Sequence, residues 1–146
     1  MEHYQATTAD LPLLAQLNKH LIEDEGHRNP MTVAELETRM RNWLESGIYE
    51  AWLFKQNEAV VAYALLRPER EYVYLRQFFV SREARRMGNG RLAIQQLRNH
   101  ILPAHKRLRL EVLATNHRAR AFWTAVGFTE YAVTMEMESV KVINSA

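Results

Sequence analysis

The run Arg85-Arg86-Met87-Gly88-Asn89-Gly90 joins a β-prone stretch, residues 72–80, to a helical pattern that begins near Asn89. Such a junction sets a strand, a glycine turn and a helix N-terminus in one place, and it limits the folds open to the chain more than any other feature. Gly88 and Gly90 lack a Cβ, so the backbone can take unusual dihedrals and approach an anion closely. A helix starting there aims its unpaired N–H groups and the positive end of its dipole at the same point. Arg82, Arg85, Arg86 and Arg91 add guanidinium forks that suit phosphate oxygens. Together they make a place to hold a pyrophosphate; the plainer alternative is a glycine-softened loop with a solvated basic face.

Composition narrows the class. A chain of 146 residues, 47% hydrophobic and 25% charged, is expected to form one domain over residues 1–146 with a sizeable core. No apolar run approaches the roughly 20 residues that cross a bilayer, so no membrane role is expected. The start Met1-Glu2-His3-Tyr4-Gln5 has neither the basic nor the apolar part of a signal peptide, which together with zero cysteines predicts a cytoplasmic protein. Without cysteine, an acyl-cysteine intermediate and thiolate metal sites are excluded. The six histidines show no ligand spacing, and no metal is expected. A net charge of +2 is too mild to predict nucleic-acid binding. The cations cluster at 82–91 and 106–109, far in sequence from the acidic Glu23-Asp24-Glu25, a polarity that suits a polyanionic cofactor and a cationic substrate.

Periodicity supplies the order of elements. A short strand over 3–6 precedes a helix capped at Thr8 or Asp10, with Leu11, Leu14, Leu17 and Leu21 on one face. A second helix spans 32–46 and stops at Gly47. The period then becomes two: strands over 49–55 and 59–67, turned at Gln56-Asn57-Glu58, and a third over 72–80. A helix over 89–102 ends at Pro103, Leu108–Val112 alternates as a strand, a helix starts near Asn116, and a last strand covers 128–138. The order β-α-α-β-β-β-α-β-α-β predicts a mixed α/β fold, an α+β mixed sheet.

Gly88-Asn89-Gly90-Arg91-Leu92-Ala93 also fits the dinucleotide fingerprint, with Glu111 roughly 20 residues on. In that fold the first glycine leaves an opening strand directly, whereas here seven residues separate Val80 from Gly88 and several elements come first. The element order, with Phe78-Phe79-Val80, Arg85-x-x-Gly88-x-Gly90, Leu110-Glu111-Val112, Asn116 and Gly127-Phe128, instead resembles the GNAT superfamily of acetyl-coenzyme A-dependent N-acetyltransferases, over essentially the whole chain.

That resemblance implies acetyl-CoA as co-substrate and residue roles to match. The backbone of Phe78, Phe79 and Val80 would pair with the pantetheine arm and offer an N–H to the thioester oxygen. Amides from Arg86 through Met87, Gly88, Asn89 and Gly90 to Arg91 would hold the pyrophosphate, with Arg85 in the family's Arg/Gln position. Asn116 matches an asparagine that contacts the pantetheine side, and it also suits a helix N-cap. Glu111 is the candidate base, its alternative being an exposed strand carboxylate paired with Arg109. Trp123 stands on the cofactor side where many members carry a tyrosine acid; indole N–H cannot serve so, and Tyr131 is the substitute. Gln77 falls in the stretch where many relatives place a glutamate. Glu23, Glu25, His27, Arg28 and Arg76 are expected around the acceptor, a small-molecule or protein amine, and the family suggests a homodimer. The rival readings are a CoA-binding or regulatory module without catalysis, favoured by Trp123 and Gln77, and a nucleic-acid module built on the arginine cluster.

Overall fold

The computed structural model describes residues 1–26 and 28–140. His27, one of the expected acceptor residues, lies outside them.

Helix α1 (Leu11–Glu25) and helix α2 (Val33–Ser46) each have their ends written in the sequence. Before α1, the side chains of Thr7 and Asp10 cap each other's backbone N–H groups, and Pro12 sits in the first turn, where its missing donor costs nothing. Ahead of α2, Thr32 and Glu35 repeat that box. Gly26 and Gly47 end the two helices in left-handed conformations at φ 65° and 75°, a geometry that penalises any residue with a Cβ.

Five strands, β1 (Glu2–Gln5), β2 (Glu50–Gln56), β3 (Ala59–Pro68), β4 (Tyr72–Val80) and β5 (Arg107–Arg109), form one sheet in that spatial order. The first four are antiparallel neighbours, and β5 joins β4 in parallel. Leu11, Leu14, Leu17, Leu21 and Met40 of α1 and α2 bury one sheet face with Leu53, Tyr63, Leu65 and Phe79. Helix α3 (Asn89–Gln96), extended by a π-helical turn at Leu97–Ile101, covers the other face with Ala93, Ile94 and Leu97. Helix α4 (His117–Ala125) adds Phe122 and Trp123 to that side.

Two irregularities position the site. Leu65 pairs with Gln77 but Leu66 pairs with Leu75, so Arg76 is an extra residue in β4. Such a bulge shifts the alternation of side chains along a strand. Gln77 and Phe79 therefore face the α1–α2 layer, while Val73 and Leu75 face α3. The second is the parting of β4 from β5. Their ladder comprises only Tyr72↔Arg107, Val73↔Leu108 and Tyr74↔Arg109, and among the described residues no strand pairs with that edge of β4 from Leu75 to Val80.

The mixed α/β fold and the order of its elements up to α4 agree with expectation, and two segments are corrected. The strand expected over Leu108–Val112 forms only at Arg107–Arg109. The closing strand expected over 128–138 is absent: residues 128–140 carry no ladder, and Val133, Met135 and Met137 are 76, 89 and 95% exposed. Alternation makes a segment suitable for a sheet, but only an adjacent edge supplies the hydrogen bonds that make it a strand. No described helix is long and apolar enough to cross a membrane.

Candidate active site

The loop after β4 is braced by its own side chains. Asn89, almost wholly buried, donates from Nδ2 to the Ala84 carbonyl at 2.9 Å and folds the loop back onto itself. Gly88 has φ 78°, the left-handed value that turns the chain into α3, and a Cβ there would meet nothing within 4 Å. Gly90 answers to a different constraint. A Cβ on it would stand 3.0 Å from the Phe122 ring and 3.4 Å from Val80, so this glycine lets α3 and α4 pack closely. The first N–H groups of α3 open toward the turn.

The arginines divide into two groups. Arg85 donates from Nε to the Val80 carbonyl at 3.1 Å and from Nη2 to Asp24 at 2.6 Å. Arg82 contacts Asp24 at 2.9 Å and Glu23 at 3.4 Å. These hydrogen bonds, Arg82's foremost, hold the Asp24 carboxyl below the usual carboxylate range. Glu23, expected at the acceptor, thus leans toward the loop after β4. Arg86, Met87 and Arg91 remain exposed around the turn.

At the centre of β4, Tyr63 Oη donates to Gln77 Oε1 at 2.9 Å in full burial. Burial pushes this phenol well above its ordinary value. In the sequence Tyr63 reads with Tyr72, Tyr74 and Phe78 as strand core, one or two of which could wall the acceptor site; its bond to Gln77 was not foreseen. Its signal lay in Gln77, since a buried amide that replaces a carboxylate needs a donor opposite.

Phe78 stacks on Phe122 with ring centroids 6.2 Å apart, and Trp123 meets Phe78, Phe122 and Phe128 edge-on at 5.5, 4.9 and 5.2 Å. Trp123 is thereby built into the wall beside the open edge of β4. Asn116 caps α4, accepting from the Ala119 N–H at 3.1 Å. Glu111 is exposed beyond the end of β5, and its charge, after burial, raises the Tyr74 phenol. Arg109 does not pair with it; the guanidinium lies between the rings of Tyr72 and Tyr131, at 4.0 and 4.6 Å. Tyr131 consequently sits at the Tyr72 end of β4, six residues and about 20 Å of strand from Phe78. Arg28 pairs with Glu136 at 3.0 Å, away from Arg76, which packs over Trp43 and Tyr49. Among the described residues no group of three His, Asp or Glu is gathered as metal ligands would be.

A mixed sheet opened beside a glycine turn, several elements into the chain, departs from a dinucleotide-binding sheet, in which the glycine turn follows the first strand of an opening parallel βαβ unit. The profile of the Acetyltransferase (GNAT) family matches residues 14–128, and the chain belongs to that family and is an acyltransferase. Its fold resembles a possible acetyltransferase from Clostridium difficile 630, with 20% identity and TM-score 0.74 over 97% of this chain and 98% of that one. A predicted acetyltransferase from Clostridium acetobutylicum, solved with acetyl-CoA, shares 17% identity over 94% of this chain and 95% of that one, with TM-score 0.72. The aminoglycoside antibiotic 6'-N-acetyltransferase AAC(6')-IG from Acinetobacter haemolyticus gives 16% identity and TM-score 0.72 over 97% and 100%. No curated protein sequence matches the chain.

Proposed function

We propose that this enzyme transfers an acetyl group from acetyl-CoA directly to a primary amine within a ternary complex. Acetyl-CoA is the co-substrate. The observation that carries the reading is the edge of β4 from Leu75 to Val80, unpaired among the described residues, which leads through a 3-10 turn at Arg82–Ala84 to the Gly88 turn. An extended pantetheine arm can hydrogen-bond along such an edge as an added strand does, and its pyrophosphate then falls at the amides of Arg86 to Arg91 and the α3 N-terminus. Phe78 and Val80 contribute backbone partners, with Trp123 and Asn116 on the flank.

The amine nitrogen attacks the thioester carbonyl carbon, a C–N bond forms, the C–S bond breaks with the electron pair leaving on sulfur, and the extra proton on the new amide nitrogen passes through water to that thiolate. Ser81 donates its N–H to the Val61 carbonyl, so Phe79, two residues earlier and paired with Tyr63, also faces β3, and the oxyanion donor is an N–H of the open edge, Phe78 or Val80. The ammonium proton must leave before attack, and Glu111 takes it through water. Absence of cysteine is in keeping with direct transfer. Coenzyme A thiolate leaves without an acid from Trp123, and Tyr131 lies too far along the strand to help in this conformation. The acceptor enters from the α1–α2 side, past Glu25 and Arg76. We place the enzyme in the cytoplasm on its lack of cysteine, and as a homodimer on the exposed apolar arm at Tyr131, Val133, Met135 and Met137.

Calorimetric titration with acetyl-CoA tests the core of this reading. Gly88→Trp meets no neighbour at its Cβ but strains the backbone at φ 78°, so its fold is checked by circular dichroism before it is used; its indole would lie where the phosphates go. Micromolar binding by the wild type that disappears in the folded variant supports the cofactor site. No wild-type binding rejects it.

A further inference from the structure

On the acceptor side of the sheet, the Trp43 ring lies against two guanidinium groups, Arg39 of its own helix at 4.5 Å and Arg76 of the β4 bulge at 4.7 Å. The Tyr49 ring is tilted 44° against that of Trp43, with the centroids 4.9 Å apart. Tyr49 Oη accepts hydrogen bonds from Arg76 at 3.2 Å and from Arg67 at 3.0 Å. Arg67 is neutralised by Glu69 at 2.5 Å. Arg39 and Arg76 take part in none of the ion pairs among the described residues.

Arg39 is also short of acceptors. It reaches Asn18 Oδ1 at 3.4 Å, while its own Nε and the Nδ2 of Asn18 are buried with no hydrogen-bond partner. Unpartnered buried donors are rare because nothing repays their lost hydration. Burial first, and then the neighbouring Arg76 charge, lower the Arg39 pKa, with the Tyr63 and Tyr49 phenols opposing them. Aromatic faces hold guanidinium groups in place but do not cancel charge. What the cluster lacks is an oxyanion with several lone pairs, which paired guanidinium forks recognise well.

The place of Arg76 connects this vacancy in the charge balance to the chemistry. It precedes Phe78, the nearer open-edge donor, by two residues, about 7 Å of strand. We propose that Arg39 and Arg76, set on Trp43 and Tyr49, form an anion subsite for the acceptor, so that the natural acceptor is a primary amine carrying a carboxylate or phosphate group. Its position as an acceptor subsite rests on the acetyltransferase reading above. Asn18 supplies a further donor at the inner end.

The test has a kinetic and a binding arm. Lysine is compared with lysinamide and cadaverine, and phosphoethanolamine with ethanolamine, as acetyl acceptors. The subsite predicts at least a tenfold lower KM for the anionic member of one series, and that series identifies the anion as carboxylate or phosphate. Arg76→Gln is expected to collapse the preference to about one, and Arg76→Lys to restore part of it. Equal KM values across both series overturn the proposal.

In the binding arm, tryptophan fluorescence is followed during titration with inorganic phosphate and with acetate. A saturable change that is lost in Arg76→Gln and in Trp43→Phe, yet kept in Gly88→Trp, supports the subsite even where no amine is acetylated, an outcome that would sink the transferase reading alone. Arg39→Lys guards against a folding defect at position 76. No saturable change in the folded wild type overturns the subsite whatever the activity.

Discussion

Asp24, near the end of α1, holds Arg85 of the phosphate loop at 2.6 Å. The helix proposed to shape the acceptor side is thus tied by charge to the loop that would carry the cofactor. Because Arg85 also bonds the Val80 carbonyl, this contact fixes where the loop leaves β4. Asp24→Asn removes a negative charge beside the pyrophosphate site and frees two guanidinium groups. A several-fold gain in acetyl-CoA affinity is expected, shrinking as salt rises because the side chains are partly exposed. Calorimetry at two ionic strengths measures it.

The same carboxylate gives a pH signature. Its folded pKa is depressed, chiefly by the Arg82 hydrogen bond, so its stabilising effect is complete above the ordinary carboxylate value near ~4 and is lost as pH falls through the folded value. Thermal unfolding of the wild type should lose more stability between pH 5 and pH 3 (about the range that brackets such a group) than Asp24→Asn does. Parallel losses would remove Asp24 from the acid response.

Glu111→Gln is expected to lower turnover by about 10²-fold or more, within the range of a lost general base, with acetyl-CoA affinity unchanged. A pH–rate profile separates the cases: the wild type gains rate with rising pH more steeply than the variant. Equal turnover across the range takes Glu111 out of the mechanism.

Gly90→Ala pushes a methyl group to 3.0 Å from the Phe122 ring, and overpacking of this kind costs about 1–3 kcal/mol. Phe122→Leu in the same chain should recover part of that loss. Denaturant unfolding of the single and double variants tests whether the two positions are coupled.

Tyr63→Phe leaves the Gln77 amide buried without its donor, at an expected cost of about 1–3 kcal/mol. The phenol's folded pKa is raised above its unfolded value near ~10, so the wild type should lose stability above about pH 10. The variant lacks that component of the alkaline loss, which a pH series of melting curves would reveal.

The parts of this protein that local chemistry determines were legible in its residues. Thr32 and Glu35 cap a helix wherever they stand three apart at its start, and Gly88 turns left-handed on its own account. Asn57 and Glu58, both at positive φ, turn the hairpin that the polar break between two apolar runs had suggested. The bulge at Arg76 was invisible, because it exists only in the register of β4 against β3. Tyr63 and Gln77 are 14 residues apart and meet only across that same register. The alternating Val133, Met135 and Met137 show the converse: a pattern states what a segment can bury, not which edge receives it. Tyr131 was chosen by its distance along the chain from Trp123, yet the course of the arm carried it to Arg109.

The parting of β4 from β5 also bears on how the protein would respond to its ligand. If acetyl-CoA lies in that gap, it completes the sheet from within, and binding and folding draw on the same hydrogen bonds. Ligand at 100 times its dissociation constant then adds about 2.7 kcal/mol to the stability. The amides of Phe78 and Val80, which face the open edge, would exchange their hydrogens more slowly once ligand is bound, while those already bonded to β3 would change little. On that view the small molecule is a temporary sixth strand, and each turnover ends with the enzyme giving up a piece of its own architecture.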